Sequence, residues 1–406
     1  IGIAYKLGKK MVVRLGYGIF YGGEENQGGN PNRGESAPFN ISPLLNRVAG
    51  VGQFEPNPFF AGGVAGGYPL NVFSLDAPIQ FRGVATNFRN SLVHKWNAAI
   101  QRELPGFMSL ELAYLGNHQS HQLFQPDPNA CPNLGTTDST INCNSLRPYP
   151  NISSISGTAS FGYGNYHALT ARLEKRFSQG LQFVTSYSYG HALANTGTTL
   201  SGSTGFGIPD PRNYASGYSS AAWDLRHNFT SGFSWFLPFG RGKSIGANMN
   251  RALNFIAGDW QANGILSLHT GSPFTLRSNG CQGVWNACRP DLVPGKNPQD
   301  APPNGRNPDH WFDITAVAPP GPLTGGNLGL QSNYAPPGRA LDFSLFKDFP
   351  FTERWRVQFR AEGFNVANTP QYATPDNNRQ NATFGQVTST NPGTERHIQF
   401  SLRLRF

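Results

Sequence analysis

Charge is scarce in this 406-residue chain: Asp, Glu, Lys and Arg supply 14% of it, against about 25% in soluble domains. No stretch approaches the roughly 18 consecutive apolar residues of a membrane helix. That excludes helical spans and leaves strands open, since a spanning strand needs only about 9–11 residues with alternate ones apolar. The opening IGIAYKLGKKMVVRLGYG lacks the basic start, apolar core and cleavage site of a signal peptide. Cysteine is limited to four. They form two local pairs, Cys131/Cys143 and Cys281/Cys288, in Gly/Pro/Asn-rich stretches. Without CxxC spacing or a nearby histidine partner they are not a zinc site, and two disulfides made in an oxidising compartment are expected. The formal net charge of +9 would suit nucleic acid. Its Lys and Arg residues are scattered singly, however, which gives no basic run or helix to bind it. No metal or cofactor motif stands out, so neither is expected.

Aromatic residues, by contrast, reach 13%, and Gly (48) and Pro (32) are plentiful. Period-two alternation recurs at 2–7, 12–21, 94–104, 109–116, 167–177, 181–190, 228–237, 260–269, 340–349, 355–364 and in the terminal RHIQFSLRLRF. That makes about 11 strands and an all-β chain. Alternation alone also fits a half-buried soluble sheet; the connections decide. Links such as LGKK, PGF, SQG and TER are very short. Between them lie long irregular stretches at about 22–90, 117–163, 192–222, 272–338 and 368–394, with one turn of middling length at 239–258. Compact soluble domains rarely hold even one such loop. Short turns on one rim and long loops on the other are the plan of an antiparallel transmembrane β-barrel in a bacterial outer membrane. In the last strand Ile398, Phe400, Leu402, Leu404 and Phe406 would face lipid, and Gln399, Ser401, Arg403 and Arg405 the lumen. The terminal aromatic suits the membrane interface.

KWNAAIQRELPGFMSLELAYLGNHQSH, YHALTARLEKRFSQGLQFVTSYSYGHAL, DLRHNFTSGFSWFLPFGRGK, GDWQANGILSLHTGSPFTL and LFKDFPFTERWRVQFRAEGFNVANTPQY together resemble TonB-dependent outer-membrane receptors of the Oar-like kind, which carry a carboxypeptidase-regulatory-like front domain. The resemblance implies a 22-stranded barrel, an N-terminal plug, energy delivered by TonB, and capture of a scarce, bulky solute by the outer loops. It also implies that Phe400, Leu402, Leu404 and Phe406 form the C-terminal signal read by the barrel-assembly machinery. Residues 1–406 then read as the C-terminal half of such a barrel, completed by missing strands and a missing plug.

No catalytic motif rises above background, and the chain does not read as an enzyme. A Ser188–His191–Asp224 set can be drawn, but serines are abundant. Arg172, Arg356, Gln358, Arg360, Glu362 and Arg403, with Gln182 and Ser186, are expected to line the lumen, either solvating it or meeting the plug. Trp285, Tyr68, Tyr214 and Tyr218 lie among Gly, Asn and Ser in loops, a composition that makes adaptable contact surfaces; they are the expected ligand contacts. Two other readings are an outer-membrane adhesin or docking protein without transport, and a soluble secreted carbohydrate-binding β protein.

Overall fold

The computed structural model describes residues 1–22, 79–124, 126–130, 140–150, 152–195, 213–279, 281, 288–321, 324–352 and 354–406. Its main sheet is an antiparallel meander in which each strand pairs with the next. The strands are β1 (Gly2–Leu7), β2 (Met11–Tyr21), β3 (Leu92–Leu104), β4 (Met108–Phe124), β5 (Ile152–Ser178), β6 (Leu181–Ala194), β7 (His227–Phe236), β8 (Trp260–His269), β9 (Gly338–Pro350), β10 (Arg356–Phe364) and β11 (His397–Arg405). Each overlaps an alternating segment of the sequence, with β4 and β5 extending well beyond theirs. Two short strands join the sheet off this path: Ile79–Val84 runs parallel to the start of β5, and Ser219–Ser220 pairs the end of β6. The edge strands β1 and β11 are exposed along their whole lengths.

The tight rim is built by turn chemistry. Ser178 pairs with Leu181 around Gln179 and Gly180. Both have positive φ, 52° and 79°, the combination whose twist matches paired strands and which glycine adopts without strain. Longer strands alter the opposite rim. β4 runs past Gly116 to Phe124 and β5 begins at Ile152, so both ends of the stretch at 117–163 are sheet, rising beyond the shorter strands. The middling turn at 239–258 contains one helix, α1 (Arg251–Ala257), capped by Asn250, whose side chain accepts from the Leu253 amide.

Register sorts the side chains into two faces. Directly paired residues share a face, and Val357↔Leu404, Phe359↔Leu402 and Ala361↔Phe400 put one apolar row outside. That row continues through β9 and β8 to Tyr187, Leu169, Leu112, Leu15 and Ile3. These rings and alkyl groups are not buried: Leu402 is 73% and Phe400 71% exposed. A water-soluble sheet would cover such a surface; lipid covers it here. Aromatics mark both edges of the band. Trp355 lies 5.2 Å from Phe406 at the tight-turn rim. Toward the other rim, three tyrosine hydroxyls meet histidine Nδ1 atoms at 2.7 Å: Tyr17–His94, Tyr114–His167 and Tyr187–His227.

The molecule's water-excluding core lies elsewhere. Phe274, Leu276, Phe312, Val317 and Leu328 pack together, with Trp311, Ala335 and Phe384 against them. They come from 272–338 and 368–394, two of the five stretches expected to be irregular. These fold into a cap pinned by two small strand pairs, Pro273–Phe274 with Asn333–Tyr334 and Asp291–Leu292 with Val317–Ala318. Arg289 is buried beneath it and donates to the carbonyls of Leu328 and Gly326. Burial pulls the Arg289 pKa down to about 10, with Asp291 opposing.

Acid should open the cap. Asp313 accepts from the Thr315 hydroxyl and amide, and those bonds hold its carboxyl below the ordinary range. Burial raises Asp376, but hydrogen bonds from Thr383, the Asn378 amide and Asn381 outweigh it and leave its pKa lowered. A carboxyl with a lowered folded pKa stabilises the fold above its unfolded value of about 3.9 and loses that stabilisation as pH falls through the folded value. Hydrogen exchange at the Thr315 and Asn378 amides, corrected for its intrinsic pH dependence, should therefore be flat from neutrality to about pH 4 and accelerate below it. Acceleration already at pH 6 would refute the assignment.

Candidate functional site

The second face of the sheet is concave and richer in polar side chains, and a hollow of about 740 Å³ lies against Glu174, Gln182, Ser234, Asn263, Ser344 and Glu362, with Val184 and Ile265 among them. It is the lumen side. Arg172, Gln182, Ser186, Arg356, Gln358, Arg360, Glu362 and Arg403 all carry this register. Several are tied to each other or to neighbours on this face. Arg172 pairs with Glu174 at 3.0 Å. Gln358 donates to Asp348 and accepts from both Arg360 and Arg405. Arg360 stacks 4.6 Å over Phe346, and Gln399 donates to Glu362. With the Arg14–Glu111 pair at 3.5 Å, charge collects toward the tight-turn end of the wall.

Toward the long-loop end the wall changes character. A pocket of about 380 Å³ opens between β4, β5, β6 and the segment leading into β7. Asn117, Gln119, Tyr166, Ser188 and Asn228 line it, and Trp223 stands at its edge, 58% exposed. Amides, hydroxyls and two rings make a surface for a neutral, hydrogen-bonding solute; rings supply contact area and the polar groups direction.

Asp224 fixes the pocket's flank. It is 2% exposed, accepts the Ala192 amide at 2.8 Å and meets His191 Nδ1 at 3.1 Å. Arg226 Nε lies 3.1 Å from the same carboxylate without hydrogen-bond alignment, while its Nη2 contacts His191 Nε2 at 3.0 Å. His191 and Asp224 thus meet, as a Ser–His–Asp set would need. Ser188 does not join them: it sits three residues from His191 on one strand, so their side chains point to opposite faces.

The loop aromatics fare differently. Tyr214 stacks on Phe161 at 5.1 Å and Tyr218 on Tyr163 at 5.2 Å. The Tyr218 hydroxyl also accepts from Asn165, so both rings brace the tall β5 extension. Cys281 and Cys288 are bonded, with Cα atoms 5.5 Å apart. Trp285 and Tyr68 lie outside the described residues, as does Cys131, and with it the pairing to Cys143. Trp223, Tyr166 and Asn117 were missed by reading loops alone. The signal for Tyr166 and Asn117 lay in strand parity, where both alternate with the lipid-facing set.

An outer-facing apolar band, a polar concave face and an antiparallel meander define an outer-membrane β-barrel protein. A family described as an outer membrane beta barrel domain matches residues 1–399, and the chain belongs to it. It resides in the outer membrane, which removes the soluble secreted reading. Among solved structures, the outer membrane transporter YddB from Escherichia coli is 9% identical with a TM-score of 0.47, covering 98% of this chain and 38% of that one. The ferripyoverdine receptor of Pseudomonas aeruginosa is 12% identical, TM-score 0.44, covering 100% and 32%. BauA, the ferric preacinetobactin receptor from Acinetobacter baumannii, is 10% identical, TM-score 0.44, covering 100% and 35%. The chain thus spans between 32% and 38% of these proteins. No curated protein matches it.

Proposed function

We propose that the chain forms part of the wall of a TonB-dependent receptor that captures a bulky, uncharged solute for energised uptake and performs no catalysis. The division of the lumen wall supports this most strongly. Charged side chains at the tight-turn end offer a surface for a polypeptide plug, and the neutral pocket of Asn117, Gln119, Tyr166, Ser188, Asn228 and Trp223 offers one for solute. The exposed edges of β1 and β11 are completed by further strands, because unpaired backbone groups have no partner in hydrocarbon. The terminal Phe400, Leu402, Leu404 and Phe406 serve the assembly machinery, and TonB acts through the plug.

The folded cap favours a second reading, a surface docking protein. Energy coupling separates the two. In the full-length receptor, uptake from a panel of neutral oligosaccharides should stop when the TonB system is deleted; docking would persist. Trp223→Ala should weaken equilibrium binding by about tenfold, as for a central aromatic contact. Unchanged binding across the panel would sink the pocket assignment.

A further inference from the structure

We propose that α1 and the turn around it form a membrane seat that binds anionic phospholipid in the periplasmic leaflet. The helix sits at the tight-turn rim, on the lipid side of the wall. Lys347 shows how it is held there. Register places Lys347 on the outer face, between Trp260 of β8 and Phe359 of β10. An ammonium facing acyl chains is costly unless it finds partners. It finds them in α1: Lys347 donates to the carbonyls of Gly258 and Asn254, at the helix's C-terminal end. Its Nζ also lies 5.6 Å from the Trp260 ring and 5.3 Å from that of Phe349. As a result it is only 3% exposed.

Two further contacts clamp the helix to the wall. The Trp260 indole donates to Ile256 O at 2.9 Å, and Phe255 packs 5.0 Å from Phe349. So fixed, α1 extends the barrel's lipid-facing surface with Leu253, Phe255 and Ile256, which are 50%, 49% and 70% exposed. Beside them Arg241, Lys243 and Arg251 are exposed. The turn's one acid, Asp259, is 3.6 Å from Lys243, so net positive charge remains. Apolar side chains continuous with a lipid-facing band, rimmed by cations, match the acyl–headgroup boundary of an anionic bilayer.

The test uses the full-length receptor in vesicles of phosphatidylglycerol and phosphatidylcholine, with native disulfides intact and one spin label at Ile256→Cys. The label should collide more readily with oxygen than with a water-soluble nickel chelate, as one at Leu404→Cys does. Nickel accessibility equal to that of a label at Lys9→Cys, as for a bare helix, or low accessibility to both oxygen and nickel, as for a helix covered by another protein, would overturn the seat. In the combined R241Q, K243Q and R251Q variant, the preference of barrel-bound lipid for phosphatidylglycerol should fall by about fivefold for each cation removed. An unchanged preference would overturn the headgroup assignment. Lys347→Met should raise nickel accessibility at position 256 while heat-modifiable migration of the barrel persists; no rise would overturn the latch.

Discussion

Asp224→Ala is expected to unfasten the segment beside the lumen pocket at a cost of about 1–3 kcal/mol, the penalty for leaving a buried group without its hydrogen-bond partner. The magnitude follows from what the carboxylate serves. It satisfies the Ala192 amide and faces both His191 and Arg226 from a site that is 2% exposed. Alanine would leave a half-buried guanidinium beside a half-buried imidazole and an amide without its acceptor. The pairing of β6 with Ser219–Ser220, which closes the same corner, would loosen with it. Hydrogen exchange at Ala192 and protease cleavage near Trp223 should both rise sharply. Asp224→Asn keeps an acceptor for the Ala192 amide and should lose markedly less. Equal losses in the two variants would mean that the charge, rather than the amide acceptor, carries the effect. No loss in either would refute the role.

The wall of this protein was legible because lipid imposes its own alternation. Every outward residue from Ile3 to Leu404 must suit hydrocarbon, and every closing backbone group must pair. Strand parity therefore survives in the sequence with little interference from packing. Lys347 is an instructive exception. By parity it is a lipid-facing charge, and only the three-dimensional return of α1 from the preceding turn makes it tolerable. A period-two reading has no way to anticipate a partner that comes from 239–258.

The loops were legible in their extent and not in their order. Their Pro, Gly and Asn content signals turns and conceals a core assembled from positions far apart: Leu276 meets Phe312, Leu328 and Phe384 across connections with no periodicity. Such contacts lack a sequence signature because no regular element repeats them. Tyr214 and Tyr218 show the same gap: their stacking on Phe161 and Tyr163 braces β5 through contacts that loop composition does not announce. The pocket residues Asn117 and Tyr166 were hidden differently, as ordinary members of a polar strand face whose strand continues above the wall.

Leu276→Ala should melt the cap and leave the wall standing. Leu276 is fully buried, among Phe274, Phe312, Val317 and Leu328; truncation of such a leucine costs about 2–5 kcal/mol through lost transfer and a residual cavity. A cap this small has few other apolar contacts to compensate. Its buried polar ties then become a liability: Arg289, held by the Leu328 and Gly326 carbonyls, keeps its charge favourably only while those carbonyls stay in place. The loss should therefore be cooperative across 272–338 and 368–394, read as simultaneous acceleration of exchange at Gln331 and Asn378. The strands owe nothing to that core, since their apolar side chains face lipid and their amides pair within the sheet. Exchange in β8 and β9 should stay slow and heat-modifiable migration unchanged. Loss of the wall together with the cap would show that the two fold as one unit. Retention of both would show that the cap's stability resides in its hydrogen bonds.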